Sequence, residues 1–455
     1  MGVQQHLTII SIVLAFLGSP SLLQASGFRL FDQSASGTAQ SNAVTAQADD
    51  PSAVYYNPAG LPQVRGVQLS LGTNFVGGTA SFRNAAGQTA AGDFGGRIAS
   101  PPPSTFYLTA NLPDLGLTAL GPLVAGFAIL PPFGISVRYP TNGPFATAVT
   151  SAAFPLVDFK PTVAYKVNDH LAVGLGLDID TFLSFVGKGQ AEARFQGAPS
   201  TPFAGLPLEI NGTDTAVGFN VSVLYTPFRH TDGAPLVNVG FVYRHNPTLD
   251  LQGQFLANGA VVADTATTFH LPQAFTGAIA LWPVRDQEQA WKLEVDIDYT
   301  DWSTFKNTDV RLSNGVTLPF PRQWQGGFTL MLGTEYTRRH PAWLPHWEVA
   351  VRTGYAFGQN VVPDATFSPS VPDADNHSLA VGVGVICKAG GRFLGLWPCG
   401  SAERRGFWPQ AIGLDVTFQT LFYETRTVSG NLNPTVDGTY KTTYYVGAVN
   451  LRMHF

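Results

Sequence analysis

The closing stretch from Tyr444 to Phe455 narrows what this chain can fold into more than any other feature. Tyr445, Gly447, Val449, Leu451, Met453 and Phe455 occupy every second position. Tyr444, Asn450, Arg452 and His454 fall between them, interrupted by Val446 and Ala448. A β-strand sends successive side chains to opposite faces, so this pattern gives one apolar face and one mixed face. A helix, with its 3.6-residue turn, does not gather that set on one side. The strand also ends on an aromatic residue, Phe455.

Runs of the same kind recur with turn-rich gaps between them. Fourteen are legible: 67–75, 106–111, 124–133, 157–165, 171–185, 215–225, 237–244, 275–282, 291–299, 328–336, 347–357, 379–387, 411–422 and 443–455. Only 57 of the 455 residues are charged, 13%, about half the roughly 25% usual for a soluble domain. Gly (48), Pro (33) and Phe (32) are abundant. This balance argues against a coiled coil, a disordered chain and, with a net charge of −5, a nucleic-acid binder.

An apolar run over 7–17, followed by Gly18-Ser19-Pro20 and Leu23-Gln24-Ala25, reads as a signal peptide, 1–25. Its start lacks Lys and Arg, and the competing reading is a buried first helix. No later stretch is long and apolar enough for a spanning helix, which needs about 20 residues. An exported, charge-poor chain of many alternating strands predicts an all-β fold. That fold is a fourteen-stranded antiparallel transmembrane β-barrel over 67–455, in the outer membrane of a Gram-negative cell. A half-buried soluble sandwich is the alternative. If the last strand descends to the periplasm, the gaps alternate between short inner turns and long outer loops, as barrels require. Trp291, Tyr299, Trp302, Trp324 and Trp347 at segment ends are expected in the interfacial girdles.

Cys387 and Cys399 enclose a Gly- and Pro-bearing loop, and in an exported protein such a pair reads as a disulfide rather than a metal site. No catalytic motif, metal-ligand spacing or cofactor fingerprint is present, so no enzyme activity, metal or cofactor is expected.

Residues 26–66 precede the first strand and are small and polar, suited either to hang in the periplasm or to fold into the lumen. They contain Ser26-Gly27-Phe28, Gln33-Ser34-Ala35-Ser36-Gly37, Ala48-Asp49-Asp50 and Asn57-Pro58-Ala59. Further on stand Pro132-Phe133-Gly134, then Pro161 to Lys166 followed by Gly174-Leu175-Gly176, then Asp301 to Phe305, and Val362-Pro363-Asp364 with Val371-Pro372-Asp373-Ala374-Asp375. In this order the motifs resemble the FadL/TodX family of outer-membrane transporters for hydrophobic compounds. The insertion between Cys387 and Cys399 and the uncharged signal start depart from its pattern.

The resemblance implies a barrel plugged by an N-terminal hatch, 26–66, and uptake of a hydrophobic small molecule. The substrate rests in an apolar pocket and leaves sideways at a kink in the third strand. Long-chain fatty acids are the first expectation and aromatic hydrocarbons the second. A general porin and an adhesin or structural barrel are the readings from other classes. The kink falls on Pro131-Pro132-Phe133-Gly134, where Pro lacks a ladder N–H and Gly packs poorly; a strand ending in an ordinary loop is the alternative. The hatch turn Asn57-Pro58-Ala59 is placed toward that gap, or is a plain turn. Arg194 matches an arginine that meets the ligand head in some relatives, with Lys306 or Arg311 as a weaker second cation and Phe28 at the pocket base. A solvated loop charge is the competing reading for Arg194, and the spacing of Lys306 and Arg311 departs from the family's. Pro372, Asp373 and Asp375 mark an outer loop. Phe145, Phe154, Phe203 and Leu206 form an entry groove or only pack the loops. The expected surroundings are outer-membrane lipids and lipopolysaccharide, and the expected state is a monomer.

Overall fold

The computed structural model describes residues 27–455 except 95, 97, 101, 246 and 401–407; the signal peptide expected over 1–25 lies outside the described residues. Fourteen strands form the wall. They are β1 (Val67–Arg83), β2 (Ser104–Asn111), β3 (Leu123–Leu130), β4 (Ser151–Lys166), β5 (Leu171–Phe182), β6 (Thr215–Arg229) and β7 (Pro235–Arg244). They continue as β8 (Gln273–Arg285), β9 (Gln289–Asp301), β10 (Gly327–Arg339), β11 (Trp347–Gly358), β12 (Asn376–Cys387), β13 (Ala411–Tyr423) and β14 (Gly438–His454). Each pairs antiparallel with its neighbours in sequence, and β14 closes on β1 from Gln68↔His454 to Arg83↔Thr439. Closure pairs the strands edge to edge round the wall except at a break in β3, because an unpaired N–H or C=O has no partner in hydrocarbon.

The alternation in sequence becomes two surfaces. Val217, Phe219, Val221 and Val223 on β6, and Leu379, Val381 and Val383 on β12, face outward and are exposed. Asn220 and Ser222, or Asp415, Thr417 and Gln419 on β13, face inward and are buried. The rim carrying the chain end has mostly short turns, such as 167–170 and 286–288, and is the periplasmic one. The opposite rim carries the long connections 183–214, 245–272 and 302–326. These contain strand pieces that the sequence pattern did not mark: Ala191–Gln196, Pro207–Gly212, Thr248–Ala257, Ala260–His270 and Val310–Leu312. They pair into an outer sheet over a cluster of Leu208, Ile210, Phe255 and Val310. Phe203 packs there, while Phe145 packs with Phe82, Tyr139 and Tyr440.

Residues 27–66 lie inside the barrel, so the lumen rather than the periplasm receives them. They need polar partners because they have little regular structure of their own, and the wall supplies these. One strand, β9, turns Lys292, Glu294, Asp296 and Asp298 inward, all buried. Lys292 Nζ donates to Ala43 O (3.0 Å) and pairs with Glu294 (2.8 Å); Ala46 N donates to Glu294 (2.6 Å), Thr45 N to Asp296 (3.0 Å) and Arg29 to Asp298 (2.7 Å). A buried charge is tolerated only when paired in this way. On the strands that follow β9 round the wall, Arg352 bridges Glu335 and Asp415, and Arg452 meets Asp415. Inward glycines let the inner segment touch the wall. A Cβ on Gly354 would stand 2.1 Å from the Gln40 carbonyl carbon, and one on Gly174 would stand 2.5 Å from Ala59 N.

Two of the expected girdle residues are elsewhere. Trp302 is 0% and Trp324 5% exposed, both inside the upper barrel, whereas Trp291 is 40% exposed and faces outward. The turn after β9 carries Trp302 inward because Asp301 caps it through Ser303 N (3.2 Å).

Candidate functional site

The third strand breaks where its sequence loses ladder donors. Leu130 pairs with Asp158 and Gly134 pairs with Pro155, so Pro131, Pro132 and Phe133 stand opposite only Leu156 and Val157. One extra residue on one strand is a β-bulge, which bends the strand and re-aims its side chains. On the other side, β2 pairs with β3 only as far as Phe106↔Ile129. Beyond that rung the wall between β2 and the continuation Gly134–Arg138 has no ladder.

The inner segment takes up the freed backbone groups. Leu30 N donates to Pro132 O (2.9 Å), Gly134 N to Phe28 O (3.0 Å) and Gln33 Nε2 to Pro131 O (2.7 Å). Residues 28–30 thus act as a short added strand on the inner side of the break. Phe28 is fixed by a cage of rings: Phe133, Phe154, Trp302, Phe305 and Trp324, at centroid distances of 4.7–5.9 Å. Phe28 is only 4% exposed.

A cavity of about 1140 Å³ runs through this region. Its inner lining includes Phe28, Phe154, Met331, Tyr444 and Val446, and its polar floor includes Asp32, Asn42, Ser378 and Gln419. Asp32 is held above the ordinary carboxyl range by burial, against hydrogen bonds from Asn42, Thr38 and Gln419 that favour the ionised form. The lining continues through the break, past Pro131, Phe133 and Gly134, to Leu71, Phe106, Ile129 and Phe159. Leu71 belongs to the outward face and is 43% exposed. The cavity therefore joins lumen-side and outward-side residues through the wall.

The expected site residues divide. Phe28, Pro131, Phe133, Gly134, Pro372 and Arg194 line the cavity, and Pro132 sits buried at the bulge beside them. Arg194 is engaged by Glu192 (2.7 Å) and Glu209 (2.9 Å), so its charge is shared before any ligand arrives. Lys306 and Arg311 are exposed in the connection after β9 and do not line the cavity. Asn57-Pro58-Ala59 is not at the gap. Asn57 Nδ2 donates to Thr45 O (2.8 Å) and Val223 O (3.3 Å), and Ala59 N to Ser222 (2.9 Å), which seats the turn on β5 and β6. Asp375 accepts from Asn360 N (2.7 Å) and Asp373 from Val361 N (3.0 Å), folding the 359–375 loop on itself. Burial pushes the Asp373 carboxyl up to about 7. Cys387 and Cys399 are joined, with Cα atoms 6.0 Å apart. The caging tryptophans were expected from sequence in the girdles and not at this site, and the outward-side lining was not named from sequence. Their signal is spatial, because four separate segments meet there only after the barrel closes.

The chain is similar to known proteins along most of its length. The family model described as "Outer membrane protein transport protein (OMPP1/FadL/TodX)" matches residues 18–388. A long-chain fatty acid transport protein of Salmonella typhi is 25% identical over 246 residues, 48% of this chain and 53% of that protein. This chain thus spans about half the length of that relative. One from Escherichia coli O6:H1 is 22% identical over 395 residues, 79% of this chain and 83% of that protein. Among solved structures, a Pseudomonas aeruginosa FadL homologue superposes with a TM-score of 0.71 at 15% identity, covering 94% of this chain and 100% of that one. The Pseudomonas putida toluene transporter TodX gives 0.58 at 14% identity, covering 96% and 100%. A closed barrel of fourteen strands, an inner segment that fills it and a family match over most of the sequence lead to one assignment: this chain belongs to the OMPP1/FadL/TodX family of outer-membrane transport proteins.

Proposed function

We propose that this protein takes up hydrophobic small molecules across the outer membrane, and that they leave the barrel sideways through the break in β3. The carrying observation is the cavity that joins the Phe28 cage to outward-side Leu71, Phe106, Ile129 and Phe159. The chemistry favours that route. An apolar tail gains about 0.8 kcal/mol per CH₂ on leaving water, and it keeps that gain if it passes from an apolar cavity straight into lipid. The polar floor of Asp32, Asn42, Ser378 and Gln419 offers the tail no such gain below.

Long-chain fatty acids are the substrate we favour. The cavity is long and mostly apolar, and it carries Arg138, Lys188 and Arg194 in its lining, where a carboxylate can find a cation. Aromatic hydrocarbons are the second reading, supported by the ring-lined cage around Phe28, which suits a flat apolar ligand.

The test has two arms. Deleting the protein in a host without a paralogue is expected to abolish uptake of dilute long-chain fatty acid. Native mass spectrometry of the barrel extracted in mild detergent is expected to show bound acyl chains. Normal uptake of both fatty acid and toluene on deletion refutes the transport reading. Loss of toluene uptake with fatty acid uptake intact moves the assignment to aromatics.

A further inference from the structure

The longest connection on the periplasmic rim is 388–410, between β12 and β13, and none of its described residues lines the cavity. Its position follows from strand parity. Leu379, Val381 and Val383 on β12 face outward at 55%, 57% and 48% exposure, yet Cys387 on the same face is 0% exposed. On β13, Val416 and Phe418 are 48% and 54% exposed, yet Ile412 on their face is 6%. Something covers the outer wall at its periplasmic end. The cover is the disulfide-closed hairpin itself. Phe393 and Cys399 cluster with Cys387 and Ile412, against Leu414, Leu451 and Trp347, and the Phe393 ring stacks on Trp347 at 6.1 Å and 26°. The hairpin therefore bends outward over the wall and not inward under the lumen.

Covering one apolar surface, it presents another. Arg392–Phe393 pairs with Trp397–Pro398, and Leu394, Gly395 and Leu396 form the tip. Leu394, Leu396 and Trp397 are 67%, 68% and 49% exposed. Leu394 also sits at φ +51°, in the left-handed region that glycine takes without strain. A leucine held there, pointing away from the protein, is opposed both by backbone sterics and by contact with water. Strain of this kind at an exposed apolar residue points to a function. The tip continues the outward apolar band of β12 and β13, and Arg392 at its base is exposed beside it.

We propose that the hairpin closed by Cys387 and Cys399 is an interfacial anchor that inserts Leu394, Leu396 and Trp397 into the periplasmic leaflet of the outer membrane. Trp397 takes the headgroup level that amphipathic rings prefer, and Arg392 faces the lipid phosphates. The disulfide holds the hairpin against the wall so that its tip meets lipid at a fixed depth.

The experiment uses the whole barrel reconstituted in phosphatidylcholine vesicles. Trp397→Phe removes one of eight tryptophans, and the difference between parent and variant emission isolates Trp397. Folding of both is checked by the unboiled mobility shift of an intact barrel. The expected difference spectrum is blue-shifted, is quenched at least twofold by lipids brominated near the headgroup, and is insensitive to iodide. A red-shifted difference that iodide quenches and brominated lipid does not would overturn the anchor, and would leave the tip as a water-facing surface for a periplasmic protein.

Discussion

Phe28→Ala tests whether the ring cage holds the inner strand against the broken wall. The side chain is 4% exposed and meets five rings, so its removal leaves a hole among groups that other parts of the barrel hold in place. Truncating a buried Phe costs about 3–5 kcal/mol. Here the cost falls on the docking of 28–30 and not on the wall, whose ladder is independent of it. At about 1.4 kcal/mol per decade, local opening becomes roughly a hundred-fold to a few thousand-fold more frequent. Hydrogen exchange read by mass spectrometry follows the amides that this docking protects, Leu30 N on Pro132 O and Gly134 N on Phe28 O. Both are expected to exchange faster by that factor. Ala59 N, bonded to Ser222 at the far side of the inner segment, is expected to stay within twofold of the parent. Unchanged exchange at Leu30 and Gly134 would show that the cage does not position the strand, and the link between Phe28 and the break in β3 would fall.

Three further outcomes are expected. Deleting Pro131 together with Pro132→Val removes the extra residue of the bulge, restores a ladder donor and lets β3 run straight; lateral transport is expected to fall at least tenfold in an uptake assay while the barrel keeps its heat-resistant mobility, and full transport refutes the side route. Gly354→Val places a side chain where Gln40 backbone lies, so the inner segment is expected to shift, and proteolysis of 35–45 in the folded barrel should accelerate at least tenfold. The raised Asp373 carboxyl makes the 359–375 loop pH-dependent: the folded loop binds the proton up to about 7, whereas a free Asp releases it near 3.9, so loop stability falls as pH rises from about 4 to 7 and is flat above. Loop cleavage by added protease is expected to be slower at pH 5 than at pH 8, and Asp373→Asn should flatten that dependence.

Strand number and direction were legible because a period of two survives in the segments and the gaps alternate in length. The bulge was legible at Pro131-Pro132 for a local reason, the missing N–H groups. What escaped depended on closure. Trp302 and Trp324 stand at strand ends, as girdle residues do, and only the capped turn after Asp301 sends Trp302 inward. The outer sheet escaped because its strands lie inside the connections between wall strands. Lys306 and Arg311 follow the right motif, but the fold carries them away from the cavity. Arg194 does reach the cavity, with Glu192 and Glu209 already on it, a pairing set by the register of two loop strands that the sequence does not display. The charges of β9 went unremarked within the segment 291–299, because their partners in 29–47 are far away in the chain.

The glycines that meet Gln40 and Ala59 have a consequence for anyone who would exchange parts between such barrels. Side-chain partners can be rewritten one at a time, but here the wall recognises the path of the inner backbone through absent side chains. A plug grafted from another barrel would collide wherever its main chain strayed from those bare positions, however well its charges matched. The lumen of this protein is cut to one key, and the cuts lie in the wall.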